Sequence, residues 1–168
     1  MTEEDVWLAK EDVQLVVVVP ITVASARRRF LEWRHLLPRN QSGLFATALA
    51  VDDEIVAVAI AGNPARVWRG TGRIVISRVV VKPGVAVKIS TCSRLYDALC
   101  DAAKALGYSE AWMYTLSKEP GTGLCASGFE EMGMTCGEEW SRPSRPRGAA
   151  VPADAKRCWR RVLLPPNS

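Results

Sequence analysis

Apolar residues change their spacing several times along this chain, and each change predicts an element. VQLVVVVPIT (Val13–Thr22) is apolar almost throughout and predicts a buried strand whose end Pro20 marks. In ASARRRFLEWRHLL, Ala26, Phe30, Trp33 and Leu37 recur at steps of four, three and four. That spacing predicts a helix with one apolar face, Arg27, Arg28 and Arg34 off it, and an end at Pro38. GLFATALAVDDEIVAVAIAGNPARVW predicts a hairpin that turns at Asp52-Asp53-Glu54 and bends at Gly62-Asn63-Pro64. RIVISRVVV (Arg73–Val81) is nearly all apolar and predicts a central strand. Cys92, Leu95, Leu99, Ala102 and Leu106 then step by three and four toward Gly107, which predicts a helix and its stop. Tyr96 falls one position past that face, a spacing that suits partial burial.

EAWMYTL predicts another strand, GTGLCASGFEEMG a short helix or turn, and MTCGEEWS and KRCWRRVLL two closing strands. Between these last two, RPSRPRGAAVPAD lies in a basic, Pro- and Arg-rich stretch, about 141–155, that predicts a surface loop. The order is strand, helix, three strands, helix, strand, helix, two strands: an α/β domain with a mixed sheet. The strands at Arg73 and Leu116 are expected to pair in parallel through a right-handed crossover.

A length of 168 residues suits one domain spanning 1–168, with neither repeats nor a linker. Membrane partners are not expected, since the Leu15–Val19 run is too short to span a bilayer. MTEEDVW is acidic, unlike a secretory signal. The five cysteines form no C-x-x-C pair and read as reduced thiols of a cytoplasmic protein. With one histidine, no metal site is expected. The net charge of +4 is concentrated: Arg142 to Arg161 holds seven Lys or Arg against Asp154. Such clusters suit nucleic acid, phosphorylated ligands or acidic substrates, or are simply a solvated face.

Arg78 is a charge within an apolar strand and needs a partner, which makes it a better candidate than a surface arginine. Cys92, at a helix entrance, is placed for a lowered thiol pKa. Trp140 with Arg142, Arg145 and Arg147 can stack on a base and hold phosphates, or be a soluble loop with one buried ring. His35, the lone histidine, is either a functional acid–base group or a dipole partner at a helix end.

The element order, together with VVVKP, STCSRLYDA, AAKALGY and YTLSKEPGTGLCASGF, resembles the GNAT superfamily of acyl-CoA N-acyltransferases. WRHLLPRNQSGLF, VAVAIAGNPARV, CSRLY, EPGT and WSRPSRPR are similar to a subgroup of small GNAT-like proteins of phages and mobile elements. The resemblance spans Arg34 to Arg147. It implies a single GNAT-like domain: a mixed, mostly antiparallel sheet of six to seven strands with helices on both faces and a parallel central pair. It also implies acetyl-CoA, or another acyl-CoA, as co-substrate.

In that family the loop entering the main helix cradles the CoA pyrophosphate with backbone N–H groups. Here the loop is Val85 to Ser93, with Val87, Lys88, Ser90, Thr91, Cys92 and Ser93 as contacts. The usual Arg-x-x-Gly-x-Gly/Ala is absent, and Ser90, Thr91 and Cys92 replace the glycines. The amides of Val79, Val80 and Val81 are implied to pair with the pantetheine arm and polarise the thioester. Ser117 stands where many members have a CoA-contacting Asn, and Thr122 opens the final helix. Leu124 occupies the position of a Tyr that protonates the leaving thiolate, and RIVISRVVV lacks a carboxylate base. The candidates for these roles are Tyr114 as proton donor, Glu139 or its neighbour Glu138 as base, and His35 and Arg78 beside the acceptor site.

The expected function is acyl transfer from acyl-CoA to an unidentified amine by direct attack, in a monomer or homodimer. The alternatives are a phage-type protein that modifies nucleic-acid bases, binding through its Arg-rich surfaces, and a GNAT-fold binding module without catalysis.

Overall fold

The computed structural model describes residues 15–33, 43–85, 89–135 and 156–165, except for the side chains of Arg78, Ile89, Ser90, Thr91 and Thr135. Among the described residues seven strands form one sheet: β1 (Val16–Ile21), β2 (Phe45–Val51), β3 (Glu54–Gly62), β4 (Arg73–Val81), β5 (Glu110–Leu116), β6 (Glu130–Thr135) and β7 (Lys156–Val162). Their spatial order is β1-β2-β3-β4-β5-β7-β6. Every neighbouring pair is antiparallel except β4 and β5, which run parallel. Helices α1 (Val23–Glu32), α2 (Ile89–Ala105) and α3 (Thr122–Ala126) complete the element order that the apolar spacing predicts. Among the described residues no helix is long and apolar enough to cross a membrane.

Two apolar clusters, one on each face, hold the sheet. Ala26, Phe30 and Trp33 of α1 pack with Ala46, Ala48, Val58, Ile60 and Val80. On the other face, Leu95, Leu99, Cys100 and Ala103 of α2 pack with Ile74, Ile76, Met113 and Trp159. Thr22 starts α1, its Oγ1 accepting the Ser25 N–H at 3.1 Å. The β2–β3 turn puts Asp52 and Asp53 at φ 48° and 67°, the two positive values that a tight hairpin between twisted strands requires.

Helix α1 is described to Glu32, with Trp33 as its C-cap; the expected continuation to Leu37, with His35, lies outside the described residues. Three details differ from the expectation. In α2 the inward face includes Tyr96 and Ala103, whereas Leu106 is 66% exposed. Tyr96 is buried, in edge-on contact with Phe129. Strand β6 begins at Glu130, ahead of the expected Met134, and its Glu131 forms a two-pronged ion pair with Arg157 of β7 at 2.9 and 2.6 Å.

Cys100 is sealed beneath α2. Burial, with Asp97 and Asp101 nearby, pushes its thiol up from 9.0 to about 11, against the pull of Arg161. The unfolded chain therefore loses this proton first. The stability it contributes is whole below pH 9.0 and is lost as pH rises through about 11. The melting temperature of the wild type should fall across that window, and Cys100→Ala should flatten the fall; an unchanged slope contradicts the assignment.

Candidate functional site

The parallel ladder between β4 and β5 is short. It runs from Arg73–Glu110 to Ile76–Met113 and then stops, although both strands continue. The cause lies on the other edge of β4, where the β3 register shifts between Ile60 and Ala61 and leaves Ser77 as an extra residue. Such a bulge bends and twists its strand. Beyond it β4 stays paired with β3, β5 stays paired with β7, and a gap opens between them.

Backbone alternation decides which amides face this gap. Lys82 N donates to Val56 O at 2.8 Å, so the residues that bond β3 are Lys82, Val80 and Arg78. Val79 and Val81 consequently turn their N–H and C=O groups toward β5, where no strand partner remains. Of the three donors expected here, Val80 is thus a correction: its amide serves the β3 ladder and its side chain joins the α1-side core. On β5, Leu163 N bonds Ser109 O, and the same alternation turns the main-chain N–H and C=O groups of Tyr114 and Leu116 toward the gap. The Leu116 N–H is taken by the Glu119 carboxylate, Oε2 at 3.0 Å.

A cleft of about 310 Å³ opens on the α2 side of the gap, at the low end of the range for small-molecule sites. Val79, Met113 and Thr115 line it from the strands, Cys92 and Tyr96 from α2. Its far wall is the β5–α3 turn with Glu119, Gly121, Thr122 and Leu124. That turn is anchored from below. Gly121 sits at φ +68°, and a Cβ there would come within 2.3 Å of the Trp159 ring. Trp159 is in turn fixed by its Nε1 donating to Thr115 Oγ1 at 2.9 Å, and Arg157 Nη1 donates to Glu119 O at 2.7 Å.

The expected site residues divide clearly. Val79, Cys92 and Thr122 line the cleft, and Val81 borders the gap. Ser90 and Thr91 lie in the first turn of α2, whose leading amides have no partner within the helix. Ser93 follows, its carbonyl accepting from Ser127 Oγ at 3.1 Å. Val87, Lys88, Glu138 and Glu139, with Trp140 and the arginines after it, lie outside the described residues. Arg78 stands opposite Ile60 in the register, and its side chain lies outside what is described.

Ser117 is exposed and does not line the cleft; Glu119, two residues on, does. Tyr114 belongs to the opposite face of the sheet, across from Cys158. Burial and the neighbouring Cys158, whose sulfur its hydroxyl meets, push the Tyr114 phenol above its ordinary value. Cys92 is a second correction: half-burial raises its thiol pKa, so its place at a helix entrance does not make it an activated thiol. Sequence reasoning missed Tyr96, Thr115 and Glu119. The period-two step from Met113 and the i, i+4 step from Cys92 would have found the first two.

The mixed sheet with one parallel pair and a crossover helix is similar in fold to solved acetyltransferases, GNAT-superfamily members among them. The ribosomal-protein-S18-alanine N-acetyltransferase from Escherichia coli matches with a TM-score of 0.64 at 10% identity, covering 91% of this chain and 97% of that one. The GNAT-superfamily phosphinothricin acetyltransferase from Sinorhizobium meliloti, in complex with AcCoA, matches at 0.64 and 13% identity over 88% of each chain. An acetyltransferase from Bacillus subtilis in complex with CoA matches at 0.58 and 12% identity over 90% and 99%. At such identities the likeness is one of fold. No protein-family model and no curated protein matches the sequence.

Gly121→Ala tests the wall of the cleft. A methyl group driven into Trp159 at a left-handed position should destabilise the protein by about 1–3 kcal/mol in urea unfolding. An unaltered midpoint would show that the turn does not rest on that ring.

Proposed function

We propose that the protein is an acyl-CoA N-acyltransferase that passes an acetyl group to an amine by direct attack. One observation carries this: Val79 and Val81 direct main-chain groups without a strand partner into a gap that opens on a ligand-sized cleft. A diamide arm such as pantetheine can take the place of the missing strand there, bonding β4 as a neighbour would. The fit extends to the cleft walls, which are mostly apolar and carry Thr115, Thr122 and Glu119 as polar points. The N-terminus of α2 lies at one end of the cleft, and its amides with Ser90 to Ser93 suit a diphosphate. Val87 and Lys88 immediately precede it in the chain.

Bound acetyl-CoA supplies a thioester activated toward nitrogen. A neutral amine forms the C–N bond at its carbonyl carbon, the C–S bond breaks, the amine nitrogen loses a proton and the CoA sulfur gains one. A fixed N–H of Val79 or Val81 facing the carbonyl oxygen meets the charge that develops on it. Such a donor is worth about 2.7–4 kcal/mol in comparable sites. Because the donor belongs to the backbone, the valine side chains need no polarity. Glu119, rather than Ser117, offers the β5-end contact to the arm: its carboxylate holds the Leu116 N–H and can accept an amide N–H of the ligand as well.

Calorimetry with acetyl-CoA should show one-to-one binding that CoA competes away. Thiol release from acetyl-CoA should then identify the acceptor across a panel of amines. No heat at millimolar acetyl-CoA contradicts the proposal and leaves a GNAT-fold binding module in its place.

A further inference from the structure

The leaving sulfur needs a proton, and the side chain expected to give it, Tyr114, is on the wrong face of the sheet. Met113 and Thr115 point into the cleft, and Tyr114 between them points away, toward Cys158. Leu124, buried in the far wall, has no proton to give.

The cleft nevertheless contains a phenol. Tyr96 lies one helical turn after Cys92, so both side chains reach the cleft from the same face of α2. Its ring crosses to the α3 wall: Tyr96 Cε2 is 3.7 Å from the point where a Cβ on Gly123 would stand. Cε2 neighbours the carbon that bears the hydroxyl. That edge of the ring faces α3, and the hydroxyl stands more than 4 Å from the same point. Edge-on packing against Phe129 at 6.1 Å fixes the ring plane.

The other protic groups on these walls are poorer choices. The Glu119 carboxylate accepts from Leu116 N, and the aliphatic hydroxyls of Thr115 and Thr122 are far weaker acids than a phenol. Cys92 is a weak hydrogen-bond donor.

We infer that Tyr96 is the catalytic acid, its O–H protonating the CoA sulfur as the C–S bond breaks. The phenol O–H bond breaks, the S–H bond forms, and the phenolate regains through water the proton that the amine nitrogen sheds. This rests on the acyl-CoA reading above, and it assigns a role that the strand tyrosine cannot fill from its face.

The test needs no acceptor, because product CoA carries the same sulfur. A phenol donating to the bound thiolate stabilises it, and removing the donor should raise the pKa of the bound thiol. CoA bound to the wild type should therefore ionise about one pH unit lower than CoA bound to Tyr96→Phe, followed by thiolate absorbance. Tyr114→Phe should leave the wild-type value in place. With hydroxylamine as acceptor, Tyr96→Phe should lower kcat on the order of 10²-fold, remove the alkaline limb of the pH profile and leave KM for acetyl-CoA unchanged. Thermal melting of Tyr96→Phe verifies that the fold survives loss of one oxygen.

Equal thiol pKa values in the two complexes, or a shift that follows Tyr114 instead, overturn the assignment while leaving the acyl-CoA reading intact. Failure of the wild type to bind CoA overturns both.

Discussion

The site depends on a ladder that is not completed. β4 and β5 exchange parallel hydrogen bonds only as far as Ile76 and Met113, and both continue as strands beyond that point. Unpaired backbone groups inside a sheet are unfavourable, and a fold that keeps them needs another partner for them. The bulge at Ser77 makes the separation, because β4 must follow β3 while β5 follows β7. Chemistry then follows from geometry. In the proposed reaction this main-chain edge recognises an extended amide chain, and its fixed donors meet charge on a carbonyl oxygen with little reorganisation.

The separation is also held open from the β5 side. Trp159 is the largest fully buried side chain, and it links three elements. It bonds Thr115 on β5, lies under Gly121 at the entrance to α3, and carries Arg157 stacked above it at 4.8 Å. Arg157 in turn joins Glu119 O to the carboxylate of Glu131 on the edge strand. The far wall of the cleft is thus part of the core rather than a loose loop. A rigid wall of this kind suits a site whose donors must be in place before the reaction begins.

Most of the fold was legible in the sequence because apolar spacing is a direct consequence of burial. The Val-rich strands, the α2 period and the Asp-Asp turn each stated their structure locally. The fold class implied by the family resemblance agrees with the seven-stranded sheet and its parallel pair. The site was less legible. Ser77 and Arg78 interrupt an otherwise apolar strand, but nothing in RIVISRVVV marks Ser77 as the bulge that parts the sheet. Tyr96 lay one position from the assumed helix face, a rotation that only packing against Phe129 and Gly123 resolves. Ser117 is exposed and Glu119 lines the cleft, an outcome of the turn through Pro120 and Gly121 that no local pattern states. Tyr114 stands near the end of the strand that borders the gap, as expected, but strand parity turns its side chain to the other face.

The central claim is that Val79 and Val81 have their main-chain groups free for a ligand while Val80 does not. Amide hydrogen exchange of valine-labelled protein, with and without acetyl-CoA, measures this directly. Val79 and Val81 should exchange readily in the free protein and become protected when acetyl-CoA is bound, with Val80 slow throughout. Protection of all three before any ligand is added, or no change at Val79 and Val81 with the cleft saturated, would contradict it.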